Sequence, residues 1–176
     1  PRNVCLQIPT VPEKVRDITG RIEVSPKSVR VHGLAGRLAT GEILASGTIT
    51  REHTPYFNLA VDIRRVPLIK IAGERLKGAG QIVDSLTGKF QIEGVPDPRT
   101  WTGSFDGLLR LAQANGADDI PLHLSVADGA MQLRDLQFTW AGGNVTASGR
   151  APIHLSAVAE GTVVFEAIDL NAIGKL

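Results

Sequence analysis

The feature that most constrains this chain is an internal duplication carried in phase with a two-residue alternation of apolar and polar side chains. Residues 17–71 lie on residues 119–173 at a constant offset of 102, without a gap. Asp17-Ile18 meets Asp119-Ile120, Leu34 meets Leu136, Gly41 meets Gly143, and Ala45-Ser46-Gly47 meets Ala147-Ser148-Gly149. Twelve of the 55 pairs are identical, a modest number, but the apolar positions stay in phase from end to end. Strand side chains alternate between faces, so a slip of one residue would turn every strand inside out; a shared phase therefore means a shared dry face. A shorter echo sets residues 18–24 on residues 86–92.

The alternation is plain in Arg21-Ile22-Glu23-Val24, Val29-Arg30-Val31-His32 and Leu59-Ala60-Val61-Asp62-Ile63-Arg64, and again in Lys89-Phe90-Gln91-Ile92-Glu93 and Met131-Gln132-Leu133-Arg134. Turn signals stand between such runs at Thr40-Gly41-Glu42, Asp128-Gly129 and Gly142-Gly143-Asn144. The pattern predicts a mainly β chain, an antiparallel meander of about ten strands, each of roughly six or seven residues. Helix is scarce. Leu68, Ile71, Ala72 and Leu76 follow Pro67 at the spacing of a short helix. Residues 106–115 suit either a helix ending at Gly116 or a strand through Leu109-Arg110-Leu111. The organisation read from this is a lead-in (1–16), a first repeat unit (17–71), linking strands with room for a short helix (72–118) and a second unit (119–176).

Composition excludes several functions. Nineteen Lys and Arg against 18 Asp and Glu leave no basic surplus for nucleic acid. One cysteine, Cys5, rules out an internal disulfide or a multi-cysteine zinc site. The chain opens at Pro1 with neither an initiator Met nor a signal peptide, and is read as a piece of a longer protein. His32, His53, His123 and His154 are scattered without metal-ligand spacing, and His32 and His123 fall on the polar phase. Gly73, Gly78 and Gly80 lack the Lys-Ser/Thr of a phosphate loop, and Ser46 and Ser148 lack a nucleophile elbow. Asp97 and Asp118-Asp119, flanked by prolines, read as loop residues. Trp101 and Trp140 read as core or rim residues rather than base-stacking platforms. Asn144-Val145-Thr146 matches a glycosylation sequon, which has meaning only in a eukaryotic secretory protein. No nucleophile, base and oxyanion site assemble, so the expectation is a non-enzymatic chain with no metal and no cofactor.

The stretch ITGRIEVSPKSVRVHGLAGRLATGEILASGTI (18–49) resembles the AsmA-like/TamB superfamily of bacterial envelope proteins, and MQLRDLQFTWAGGNVTASGR (131–150) repeats the likeness. AIDLNAI (167–173) is similar to the segments that close a unit in that family, although Val66-Pro67-Leu68 in the first copy has Pro where Asp is usual. Residues 86–112 resemble its linking segments, so the likeness covers nearly the whole chain. It implies an extended antiparallel sheet curled into a β-groove, or taco-like trough, with an apolar interior. It also implies a periplasmic location in a diderm bacterium, with inner-membrane anchoring of the full-length protein. The implied role is passage of phospholipid between inner and outer membranes, the acyl chains lying in the groove. Neighbouring repeats would pair through the open sheet edges, and an outer-membrane barrel protein is a further implied partner.

The apolar phase supplies the lining candidates: Ile22, Val24, Val29, Val31, Ile43, Ala45, Leu59, Val61, Ile63, Phe90, Ile92, Met131, Leu133, Val145, Val163 and Phe165. A trough of strands more than ~20 Å long is wider than the ~15 Å depth of one acyl layer. The same alternation equally suits the sealed core of a sandwich or barrel, with no lipid and a structural or protein-binding role.

Overall fold

The computed structural model describes residues 13–51, 53–68, 70, 83–111, 119–140, 142–153 and 159–168. Among the described residues ten strands follow one another: β1 (Val15–Val24), β2 (Ser28–Leu38), β3 (Gly41–Thr50), β4 (Phe57–Pro67), β5 (Val83–Gly94), β6 (Thr102–Leu111), β7 (Asp119–Ala127), β8 (Ala130–Trp140), β9 (Gly143–Pro152) and β10 (Glu160–Glu166). They form a single antiparallel sheet in sequence order, with β1 and β10 at its edges. The sheet is open: its first and last strands do not pair with each other.

The duplication reappears in the backbone. Ser28 and Ala130, Leu38 and Trp140, Gly41 and Gly143, and Thr50 and Pro152 open and close matching strands, each pair 102 residues apart. The irregularities repeat as well. The β2–β3 ladder shifts register between Val31 and Leu34, and the β8–β9 ladder between Leu133 and Leu136. At the centre of these bulges Gly33 (φ 58°) and its counterpart Asp135 (φ 52°) are both left-handed. Arg65 (φ 50°) and its counterpart Ala167 (φ 55°) share the same conformation. Asp and Ala pay a steric penalty at such φ values, so the surrounding ladder holds the shape.

Several expectations are corrected. The strands run from 7 to 12 residues rather than six or seven. Each bulge flips the phase of the pattern while the ladder continues, so the period-two runs in the sequence stop short of the strand ends. Residues 106–111 belong to β6, which closes the choice between helix and strand in favour of strand. The short helix expected over residues 68–76 falls almost wholly outside the described residues. Leu68 and Lys70, the described part of that stretch, are helical; the described residues also hold one 3-10 turn, Pro98–Thr100, capped by the Asp97 side chain. The β2–β3 turn is Ala39-Thr40, with Ala39 left-handed (φ 53°), and Gly41 is already in β3. Gly41 is required there by packing, because a Cβ would lie 2.6 Å from Val66 Cα. Asp119 is no loop residue: it opens β7 and accepts a 3.0 Å hydrogen bond from Arg110.

Residues paired across an antiparallel ladder point to the same side, so the registers divide the sheet into two faces. On one face Val15, Leu38 and Val66 are buried together, with Ile18, Ile43 and Ile63 packed against them. Val66 packs over Gly41 and Val15 over Gly36, in the space that the missing side chains leave. Farther along, the buried Phe105 ring covers both Gly88 and Gly107; a Cβ on either would lie 2.5 Å from its Cζ. An aromatic ring over paired glycines shields backbone that would otherwise face water.

Candidate functional site

Tracing the ladders places all sixteen lining candidates on one face. Ile22 pairs with Val31 and Val24 with Val29. Ile43 pairs with Ile63, and Ala45 with Val61. Leu59 pairs with Ile92, and Val61 with Phe90. Val126, opposite Gly103 of β6, pairs with Met131, and Leu124 with Leu133. Val145 pairs with Phe165, and Ala147 with Val163.

The cross-strand rows are continuous. One row runs Ile22, Val31, Gly47, Leu59, Ile92, Gly103, Val126, Met131, Ala151, through nine strands with no polar side chain. The next runs Leu34, Ala45, Val61, Phe90, Phe105, Leu124, Leu133, Gly149, Gly161, from β2 to β10. At ~4.8 Å per strand, either row is a dry track of ~38 Å. Of the sixteen candidates only Val145 is buried; ten are half-buried, and Ile22, Val24, Met131, Val163 and Phe165 are exposed. A sheet face sealed by a second layer would bury most of them.

The opposite face is wet and ordered by charge. Asp62, Lys89, Asp106 and His123 are successive partners across β4 to β7, and His123 Nδ1 lies 2.8 Å from Asp106 Oδ1. Glu23 meets Arg21 at 2.7 Å and His32 at 3.2 Å. Arg110 is held above its usual range by its hydrogen bond to Asp119, and Arg99 likewise by Asp97. Such exposed pairs contribute little stability but set which side faces water. Leu44 and Leu108 are the apolar exceptions in the middle of this face.

Residues weighed for catalysis are not brought together. Ser46 lies opposite Ala60 and Ser148 opposite Thr162, both on the wet face. Among the described residues no group of three His, Cys, Asp or Glu could hold a metal ion. Cys5, Gly73, Gly78, Gly80, Asp118 and His154 lie outside the described residues. Trp101 sits at the rim, donating from Nε1 to the Val95 carbonyl at 2.8 Å and meeting Phe57 edge-on at 5.5 Å. Trp140 lies on the dry face at the opposite rim, 6.4 Å from Phe165. Asn144, the sequon residue, pairs within the sheet with Thr139 and Glu166.

The alternation also missed members of the dry face. Leu34, Leu136 and Val66 lie just past bulges, at odd spacing from the apolar residues before them. On β7, Leu122, Leu124 and Val126 face the dry side, where Ile120-Pro121 reads as loop. On β6, Phe105 and Leu109 alternate with Gly103 and Gly107, which carry no hydrophobic signal. No family model, curated protein or solved structure matches the chain.

Proposed function

We propose that this chain is a segment of an AsmA/TamB-like envelope protein whose dry face shelters phospholipid acyl chains on their way between the inner and outer membranes. The periplasm of a diderm bacterium is the setting that goes with this reading. The observation that carries it is the pair of uninterrupted apolar rows on a face that no second layer of described strands covers, and along which the residues, Phe105 and Val126 apart, stay at least partly exposed. Acyl chains need a dry surface rather than directed hydrogen bonds. Each methylene removed from water is worth ~0.8 kcal/mol, so a chain even half covered gains several kcal/mol. The glycines in the rows broaden the track without adding polarity. In this reading the chain supplies a surface and performs no covalent chemistry.

Native mass spectrometry with lipid extraction of the purified protein tests the proposal. The expected result is bound phospholipid that is lost in Val61→Glu and retained in Ala60→Glu, with both variants still giving a β-sheet circular dichroism spectrum. Absence of lipid from the unmodified protein, and no uptake from phospholipid vesicles, would overturn it.

A further inference from the structure

The two edges of the sheet differ. β1 is an interrupted edge: its ladder with β2 shifts register twice, and Asp17 (φ 54°) and Gly20 (φ 137°) are left-handed. Bulges and charges of this kind discourage further strand pairing. β10 is regular by comparison, and its only charges are Glu160 and Glu166 at its two ends. Its ladder with β9 runs from Glu160 to Glu166 without a shift, it contains no Lys, Arg or Pro, and every residue in it is exposed. Val163, Val164 and Phe165 put apolar side chains on both of its sides.

The duplication says what such an edge is shaped to receive. β10 is the counterpart of β4, and β4 pairs on its second side with β5. There Val61 faces Phe90, Ile63 faces Gly88, and the N–H of the left-handed Arg65 donates to Thr87 Oγ1 at 3.0 Å. The same positions are Val163 and Phe165 on β10 and Ala167 just beyond it, and Ala167 already has the φ of Arg65. That left-handed residue stands just past the end of β10, with no described strand closed over it. Glu160 stands where Asn58 lies opposite Glu93, so a glutamate there would set like charges face to face.

We propose that the edge of β10, which no described strand occupies, docks one further antiparallel strand of β5 chemistry. That strand carries a bulky apolar residue opposite Val163, a glycine beneath Phe165, a Ser or Thr hydroxyl for the Ala167 N–H, and a basic residue opposite Glu160. The mode is β-augmentation: backbone pairing supplies affinity and the side-chain pattern supplies selection. This inference does not depend on the lipid reading.

A synthetic peptide with the sequence of residues 83–94 and Glu93→Lys is the probe, titrated into the whole chain and followed by fluorescence anisotropy and amide hydrogen exchange. Saturable binding is expected, with new protection over residues 160–166. The peptide keeping Glu93 should bind more weakly at low salt, and a Thr87→Val peptide about fivefold more weakly, as for the loss of one hydrogen bond. A peptide with its pattern slipped by one residue should not bind. Lack of binding at millimolar peptide, protection appearing on β1, displacement of the native β5, or equal binding by the slipped peptide would each overturn the proposal.

Discussion

Replacing Phe105 by Ala measures how much of this sheet's stability rests on one side chain. Phe105 is 3% exposed, and a phenyl side chain buries ~150–250 Å². At ~25 cal/mol per Å² that is ~4–6 kcal/mol of burial for the whole group, part of which Ala would retain. Its ring covers Gly88 and Gly107, neither of which has a side chain that could move into the space. Little relaxation is therefore available, and the cost should be at the full ~3–5 kcal/mol of a buried Phe→Ala change. Val163, 55% exposed on the edge strand, is the internal control, and Val163→Ala should cost less than ~1 kcal/mol. Urea unfolding followed by circular dichroism gives both numbers, provided the slope against denaturant is unchanged. A Phe105→Ala cost below ~1 kcal/mol, or one equal to that of Val163→Ala, would refute the uneven packing described above.

Other outcomes follow from the same geometry. Gly41→Ala places a Cβ 2.6 Å from Val66 Cα and 2.7 Å from the Arg64 carbonyl, both backbone atoms, and should lower stability by ~1–3 kcal/mol in the same urea assay. Gly33→Asp should stay within ~1 kcal/mol of the parent despite φ 58°, because Asp135 already occupies the matching bulge and the space around Gly33 is open. Tyr56 should titrate above the usual phenol range: its hydrogen bond to Glu93 favours the protonated form, burial adds to this, and the Glu93 charge opposes the phenolate. Ultraviolet titration of Glu93→Gln should show that pKa falling back. Because the folded value is the raised one, any stability from this contact is present below the unfolded pKa of Tyr and lost as pH rises through the folded one.

Much of the fold was legible because duplication and alternation are two readings of one constraint, a sheet with a single dry side. Val61 and Val163, or Ala45 and Ala147, share a phase across 102 residues because both copies turn the same atoms away from water. What stayed hidden is where the ladder and the sequence period part company. Val31 and Leu34 are three apart and yet on one face, since Gly33 is spent in a bulge. β6 was ambiguous because Gly103 and Gly107 give no hydrophobic signal, although they carry the row across the sheet and, at Gly107, seat the Phe105 ring. Pro121 hid β7: it sits on the wet face opposite Leu108, a place from which local composition alone suggests a loop. The continuity of the rows could not be read from the sequence at all. It depends on register between strands, which no single strand encodes.

In the proposed function one face of the sheet, and one only, meets acyl chains. Photo-crosslinking from single residues along β4, with phospholipid vesicles, tests it most directly because neighbouring positions face opposite ways. Lipid adducts are expected from positions 59, 61 and 63 and none from positions 60 and 62. Adducts without that alternation, or none from any position while the protein remains folded, would contradict it.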